Sequence, residues 1–77
     1  MKQAKSTDPR VHFGRAIKKY RTAAGISQEE LAARAGIHRN YAGAVERGER
    51  NVAILNMARI AKGLGVPLSK LVREMEL

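Results

Sequence analysis

The segment spanning residues 27–48 constrains this chain most, because its pattern is that of two short helices joined by a sharp turn. Ser27 and Glu30 are spaced to form a capping box, in which the side chain of each would bond the backbone N–H of the other. Gly36 suits the turn, since a residue without Cβ adopts a left-handed conformation freely. Ala32 is small enough for the second helix to lie close to the first. The segment therefore predicts a helix-turn-helix.

Apolar residues recur at helical spacing before and after this pair, which predicts an all-α chain of five helices. The first is expected to begin at Asp8 and Pro9, a good cap and a good first helical residue, and to end at Gly25. The others are expected over about residues 28–35, 38–47, 52–64 and from 67 onward. The predicted inward-facing residues are Phe13, Ala16, Ile17, Tyr20, Ala24, Leu31, Ala32, Ala35, Ile37, Ala42, Val45, Ile54, Met57, Ala58, Ile60, Ala61, Leu64, Leu68, Leu71, Val72 and Met75.

A polar stretch without periodicity opens the chain. Residues 1–8 are therefore expected to form a flexible basic arm bearing Lys2 and Lys5, ahead of one domain over residues 9–77. A domain of this size buries only about 60% of the surface of its unfolded chain. A partner subunit would therefore add useful stability.

The charge of the chain favours a polyanion as its partner. Fifteen lysine and arginine residues against seven acidic ones give a formal net charge of +8. The basic residues are spread over several short helices, and no apolar run reaches the ~20 residues of a transmembrane helix, so a membrane is disfavoured. RNA is disfavoured because its duplex hides the major groove and this chain lacks an aromatic platform for single strands. Combined with the predicted helix-turn-helix, the charge points to duplex DNA.

The inventory of reactive side chains argues against catalysis. The chain has no cysteine, its two histidines are His12 and His38, and no carboxylates converge at helical spacing outside the capping pair. We therefore expect no enzyme activity, no metal site and no cofactor. The absence of cysteine suits a reducing compartment, and the start of the chain lacks a signal-peptide core, so we expect a cytoplasmic protein.

Three linked motifs carry a family resemblance. They are Gly-Ile-Ser-Gln-Glu-Glu-Leu-Ala at 25–32, Glu-Arg-Gly at 46–48 and Ile-Ala-Lys-Gly-Leu-Gly-Val at 60–66. In this order and spacing they resemble the Cro and phage-repressor family, also called Xre-type regulators, over roughly residues 12–73. The resemblance implies a compact five-helix bundle with a central helix-turn-helix. It also implies dimers that place two recognition helices in successive major grooves, about 34 Å apart.

Carried over to this sequence, the resemblance places base-reading residues on the third helix. Arg39 and Asn40 match positions near its start that touch base edges in relatives, and their side chains suit guanine and adenine respectively. Phosphate contact or simple exposure is the alternative for both. Ala44 matches another base-reading position and could pack on a thymine methyl. Gly43 departs from the family's polar residue, and it either allows close approach to DNA or is a tolerated weakness in the helix.

The resemblance also implies a set of phosphate contacts around the same helix. Gln28 matches a phosphate-contacting position at the start of the second helix, where the helix dipole favours an anion. His38 departs from the usual Ser or Thr cap, and it either contacts phosphate when protonated or is an exposed neutral histidine. Tyr41 either donates to a phosphate or is partly buried. The expected phosphate-contacting residues are Gln28, His38, Tyr41, Arg47, Arg50 and Asn51.

Two further expectations concern structure and assembly. Arg21 and Glu46 match a family ion pair that orients the recognition helix, with two separate surface charges as the alternative. Leu55 falls off the apolar stripe of the fourth helix and is expected to form a dimer interface with Val72 and Met75. A single exposed leucine is the alternative.

Together these features predict a homodimeric, sequence-specific DNA-binding transcription regulator that binds a palindromic operator. Such a chain is similar to small phage-type repressors, to restriction–modification controller proteins and to antitoxins, so a toxin or other protein partner is an open alternative. A helical adaptor that binds only protein is the competing class. Salt separates the two, since a DNA binder loses orders of magnitude in affinity between 50 and 200 mM salt.

Overall fold

The computed structural model describes residues 8–75, which form five α-helices with no strand among them. This confirms the all-α prediction. The predicted basic arm lies outside the described residues, except for Asp8, which belongs to the folded domain as the cap of the first helix. The helices are α1 (Pro9–Ala23), α2 (Gln28–Ala35), α3 (Arg39–Glu46), α4 (Ile54–Leu64) and α5 (Leu68–Met75).

Local signals in the sequence place the start of α2 and the turn that follows it. The Ser27 hydroxyl accepts a hydrogen bond from the backbone N–H of Glu30 at 3.0 Å. The Glu30 carboxylate does not complete the expected capping box but accepts from Arg34 Nε at 2.9 Å. Gly36 ends α2 with a left-handed φ of 70°. Because glycine adopts this conformation freely, the chain can turn sharply into α3.

The five helices enclose the core, with α2 packed on α4 and α1 packed on both α3 and α5. Ile17, Leu31, Val45, Ile60 and Leu71 are its most deeply buried large side chains. They come from all five helices, so the domain has a single core.

Close backbone contact fixes the position of α3. A Cβ at Gly14 of α1 would lie 2.5 Å from the carbonyl oxygen of Glu46 and 2.6 Å from that of Val45. Because both neighbours are backbone atoms, any residue larger than glycine would push α1 away from the end of α3. The crossing of these two helices thus depends on one small residue.

Four of the predicted inward-facing residues are wrong. Ala24, Ile54, Ala58 and Val72 are exposed. Ile54 and Ala58 lie in the first part of α4, where Met57 is the residue that packs against the core, and the fully buried residues of that helix begin at Ile60. Helical spacing marks an apolar stripe, but it does not show where the neighbouring helices end.

Candidate nucleic-acid interface

The amino-terminal ends of α2 and α3 border an open polar cleft of about 550 Å³. Arg39 and Asn40 stand exposed in the first turn of α3, directly after His38. His38 is the N-cap but makes no capping hydrogen bond through its side chain, so its imidazole is not used to hold the helix. The residues lining the cleft are Arg21, Ser27, Gln28, Glu29, Arg39, Asn40, Gly43 and Arg47.

Arg39 crosses the mouth of this cleft to Glu29. Its Nη1 donates to Glu29 Oε2 at 3.2 Å, and both side chains are mostly exposed. Exposed ion pairs of this kind contribute only about 0 to 1 kcal/mol. The Arg39 guanidinium can therefore leave Glu29 for a stronger acceptor at small energetic cost.

Behind the cleft, Arg21 and Glu46 form the ion pair that the resemblance implied. Arg21 Nε donates to Glu46 Oε2 at 2.5 Å and Nη2 donates to Glu46 Oε1 at 3.1 Å, while Nη1 bonds the carbonyl of Ile26 at 2.9 Å. The hydrogen bonds from Arg21 to this carboxylate raise the pKa of the guanidinium, which stays charged. The pair ties α1 and the loop after it to the end of α3.

Gln28 joins this pair to the start of α2. Its Nε2 donates to Glu46 Oε1 at 3.0 Å, so one of its two amide hydrogens is already used. The phosphate contact expected for Gln28 would need the second one. That contact stays a prediction.

Two of the four expected base-reading residues are not accessible. Gly43 is buried, and the space above it is occupied by the ends of the Arg47 and Gln28 side chains. Ala44 is only 8% exposed, so its methyl group is not available to pack on a thymine. The reason is that α3 packs on both α1 and α2, while the side chains of Arg47 and Gln28 cover Gly43 on the cleft side. The outward face is narrower than the sequence suggested, and Arg39 and Asn40 remain on it.

A second polar group surrounds Tyr41, the third residue of α3. Asn56 Nδ2 donates to the Tyr41 hydroxyl oxygen at 3.3 Å, and the Arg50 guanidinium lies 5.7 Å from the centre of the Tyr41 ring. Tyr41 is half-buried, and its hydroxyl hydrogen remains available to an acceptor. Sequence reasoning missed Asn56, because nothing in the spacing of α4 marks it as a partner of α3. Arg50 and Asn51 are both exposed in the loop after α3.

The expected dimer interface is partly wrong. Met75 is only 7% exposed and belongs to the core of the protomer, where it lines a small groove with Phe13. Leu55 is 60% exposed and Val72 is also exposed. Ile54, which the sequence placed inside, is 70% exposed next to Leu55. The start of α4 thus carries two adjacent large apolar side chains without cover.

Within residues 8–75, no helix combines the length and the apolar character that crossing a membrane requires. The same residues hold no group of histidine and acidic side chains arranged for a metal ion.

Comparison with known proteins identifies the family. A family model described as helix-turn-helix matches residues 17–71. The control protein C.MunI of a Mycoplasma species is 39% identical over 70 residues, which cover 90% of this chain and 95% of that protein. The control protein C.BamHI of Bacillus amyloliquefaciens is 41% identical over 58 residues, covering 74% of this chain and 72% of that protein.

Solved structures agree. The restriction–modification controller protein C.AhdI from Aeromonas hydrophila is 44% identical, with a TM-score of 0.79 over 80% of this chain and 94% of that one. The wild-type restriction–modification controller protein C.Esp1396I is 31% identical, with a TM-score of 0.81 over 88% and 87%. The resemblance inferred from the sequence motifs is confirmed. This chain belongs to the helix-turn-helix family and is a DNA-binding transcription regulator of the control-protein type.

Proposed function

We propose that this protein binds a short palindromic operator as a homodimer, with α3 of each protomer in the major groove. The observation that carries the proposal is the exposure of Arg39 and Asn40 together on the first turn of α3, at the mouth of the cleft. An α-helix fits the major groove, and these two side chains can each make paired hydrogen bonds to a purine there. Ala44 and Gly43 have no base contact in this arrangement.

Contacts to the DNA backbone orient the helix. Gln28 at the start of α2 and His38 before α3 flank the reading side chains. Arg50 follows the far end of α3 and lies over the ring of Tyr41, the third residue of that helix. Phosphate contacts from both ends would fix the angle of α3 in the groove without adding sequence preference. The net charge of +8 supports association with DNA and makes it sensitive to salt.

Two-fold pairing of protomers would match the symmetry of a palindrome. We place the interface at the start of α4, where Ile54 and Leu55 are exposed side by side, with Val72 of α5 as a further apolar contact. Burying large apolar side chains is the main favourable term in most protein association. Met75 takes no part, because it is used in the core.

We further propose that the genes under control are those of a restriction–modification system, and that the protein acts in the cytoplasm. Similarity to control proteins over nearly the whole of C.MunI supports this role. The simplest mechanism is repression by covering a promoter.

Selection of bound duplexes from a random library at physiological salt tests the DNA-binding proposal. We expect a palindromic consensus whose half-sites are centred about one helical turn, or ~10 base pairs, apart. A consensus without symmetry would contradict the dimer, and no enrichment at all would contradict sequence-specific binding.

A further inference from the structure

Gly43 stands in the middle of α3, at a position where glycine is unfavourable. Glycine destabilises a helix relative to alanine because its unfolded chain has more conformational freedom to lose. The backbone does not require it, since the glycines with positive φ among residues 8–75 are Gly25, Gly36, Gly48 and Gly65. What matters at Gly43 is therefore the missing side chain.

Two polar side-chain ends converge on the space that a Cβ at Gly43 would occupy. Arg47 Nη1 would lie 3.2 Å from that atom and Gln28 Oε1 would lie 3.3 Å from it. At Gly14, by contrast, the nearest atoms are backbone carbonyl oxygens of α3. Gly14 therefore allows two helices to touch, whereas Gly43 makes room for the guanidinium of Arg47.

Arg47 reaches this space by folding back over one helical turn. Residues 43 and 47 are four apart and share one face of α3, and the side chain of Arg47 returns along that face toward the start of the helix. Its Nε donates to Glu49 at 3.0 Å, and the side chain remains 60% exposed. The guanidinium thus lies above the middle of α3, within reach of a ligand in the cleft.

Gln28 presents its acceptor to the same space. Its Nε2 donates to Glu46, which directs Oε1 toward Gly43 and Arg47. A carbonyl oxygen attracts a guanidinium and repels a phosphate oxygen. Gln28 Oε1 is therefore suited to holding Arg47 in place, and the second hydrogen of Nε2 is left for the proposed phosphate contact.

We propose that Arg47 is a base-reading residue, and that Gly43 is the opening that lets its guanidinium act at the centre of α3. The inference rests on the proposed function and deepens it. The guanidinium of Arg47 then joins Arg39 and Asn40 along one side of the cleft. Each half-site is therefore read by three side chains. Two N–H groups of an arginine guanidinium can donate together to O6 and N7 of guanine in the major groove. This differs from the phosphate contact that the sequence implied for Arg47.

The test compares operator selection by the wild type with that by Arg47→Ala, Arg47→Lys and Gly43→Ala. We expect the wild type to require guanine at one position of each half-site that Arg47→Ala no longer requires, with about tenfold weaker operator binding. Arg47→Lys should not restore the preference, because a point charge lacks the paired donors. Gly43→Ala should weaken the guanine preference at the same position, since its Cβ would lie 3.2 Å from Arg47 Nη1 and force the guanidinium to shift by a few tenths of an ångström. Arg73→Ala, which removes an exposed arginine from α5, is the matched control and should leave the consensus unchanged.

Folding is checked by circular dichroism and thermal unfolding, and we expect Gly43→Ala to be at least as stable as the wild type. An unchanged consensus for Arg47→Ala, with equal losses on operator and random duplexes, would overturn base reading by Arg47. If Arg47→Ala loses the guanine preference at one position but Gly43→Ala keeps it, the proposed role of Gly43 is overturned. If the wild type selects no consensus, the proposed function itself fails, which is a distinguishable result.

Discussion

Arg21 and Glu46 connect the first helix to the end of the recognition helix through two hydrogen bonds, of 2.5 and 3.1 Å. Their side chains are 13% and 4% exposed, so the pair is largely withdrawn from water. Glu46 also accepts from Gln28 at the start of α2. One carboxylate thereby sets the relative positions of three helices, and the reading face of α3 depends on it.

Arg21→Ala is expected to reduce the free energy of unfolding by about 2 to 3 kcal/mol, because it leaves a nearly buried carboxylate with Gln28 as its remaining partner. Urea denaturation measures this change. Arg34→Ala is the matched control, since the pair of Arg34 with Glu30 is half exposed on both sides, and it should lose less than about 1 kcal/mol. Equal losses in the two variants would show that burial of the Arg21 pair has no energetic consequence.

The amino-terminal cap of α1 gives the protein a pH dependence in acid. Hydrogen bonds from the side chain and then the backbone of Arg10 lower the pKa of Asp8 from 3.8 to about 2. A carboxyl group whose pKa is lower in the folded state stabilises the fold above its unfolded pKa. That stabilisation is lost as the pH falls from about 4 to about 2.

Asp8→Asn isolates this effect, because asparagine caps a helix about as well but does not titrate. We expect the wild type to be the more stable of the two at neutral pH and the difference between them to shrink as the pH falls from about 4 to about 2. Urea unfolding of both proteins across this range measures it. A difference that is constant through the range would contradict a lowered pKa at Asp8.

The dimer interface is tested at the start of α4. A charged side chain at an apolar contact is costly to bury, so Leu55→Glu and Ile54→Glu should each shift the protein from dimer to monomer in analytical ultracentrifugation. Ala33→Glu adds the same charge at an exposed position of α2 and should leave the dimer intact. A dimer that persists in both α4 variants would place the interface elsewhere.

Local chemistry is the part of this fold that the sequence predicts well. Asp8, Ser27 and Gly36 act within a few residues of their own position, and the helix starts and the turn they predict are present. The family motifs likewise placed Arg39 and Asn40 correctly on the exposed start of α3.

Contacts between helices are the part that the sequence did not predict. Ala44, which was expected to read bases, and Met75, which was expected to join the dimer interface, are buried, whereas Ile54 was expected inside but is exposed. The contacts of each helix with its neighbours decide which residues are buried, and neither helical spacing nor a family match shows those contacts. The approach of Arg47 over Gly43 depends on a rotamer and on a residue of another helix, and neither is visible in sequence spacing.

The most direct test of base reading by α3 is the affinity of Arg39→Ala and Arg50→Ala for the selected operator and for random duplexes, measured between 50 and 200 mM salt. Arg39→Ala should lose about 1 to 3 kcal/mol on the operator and little on random DNA, whereas Arg50→Ala should weaken both alike and flatten the salt dependence. Equal losses of Arg39→Ala on operator and random duplexes would contradict base reading by the exposed face of α3.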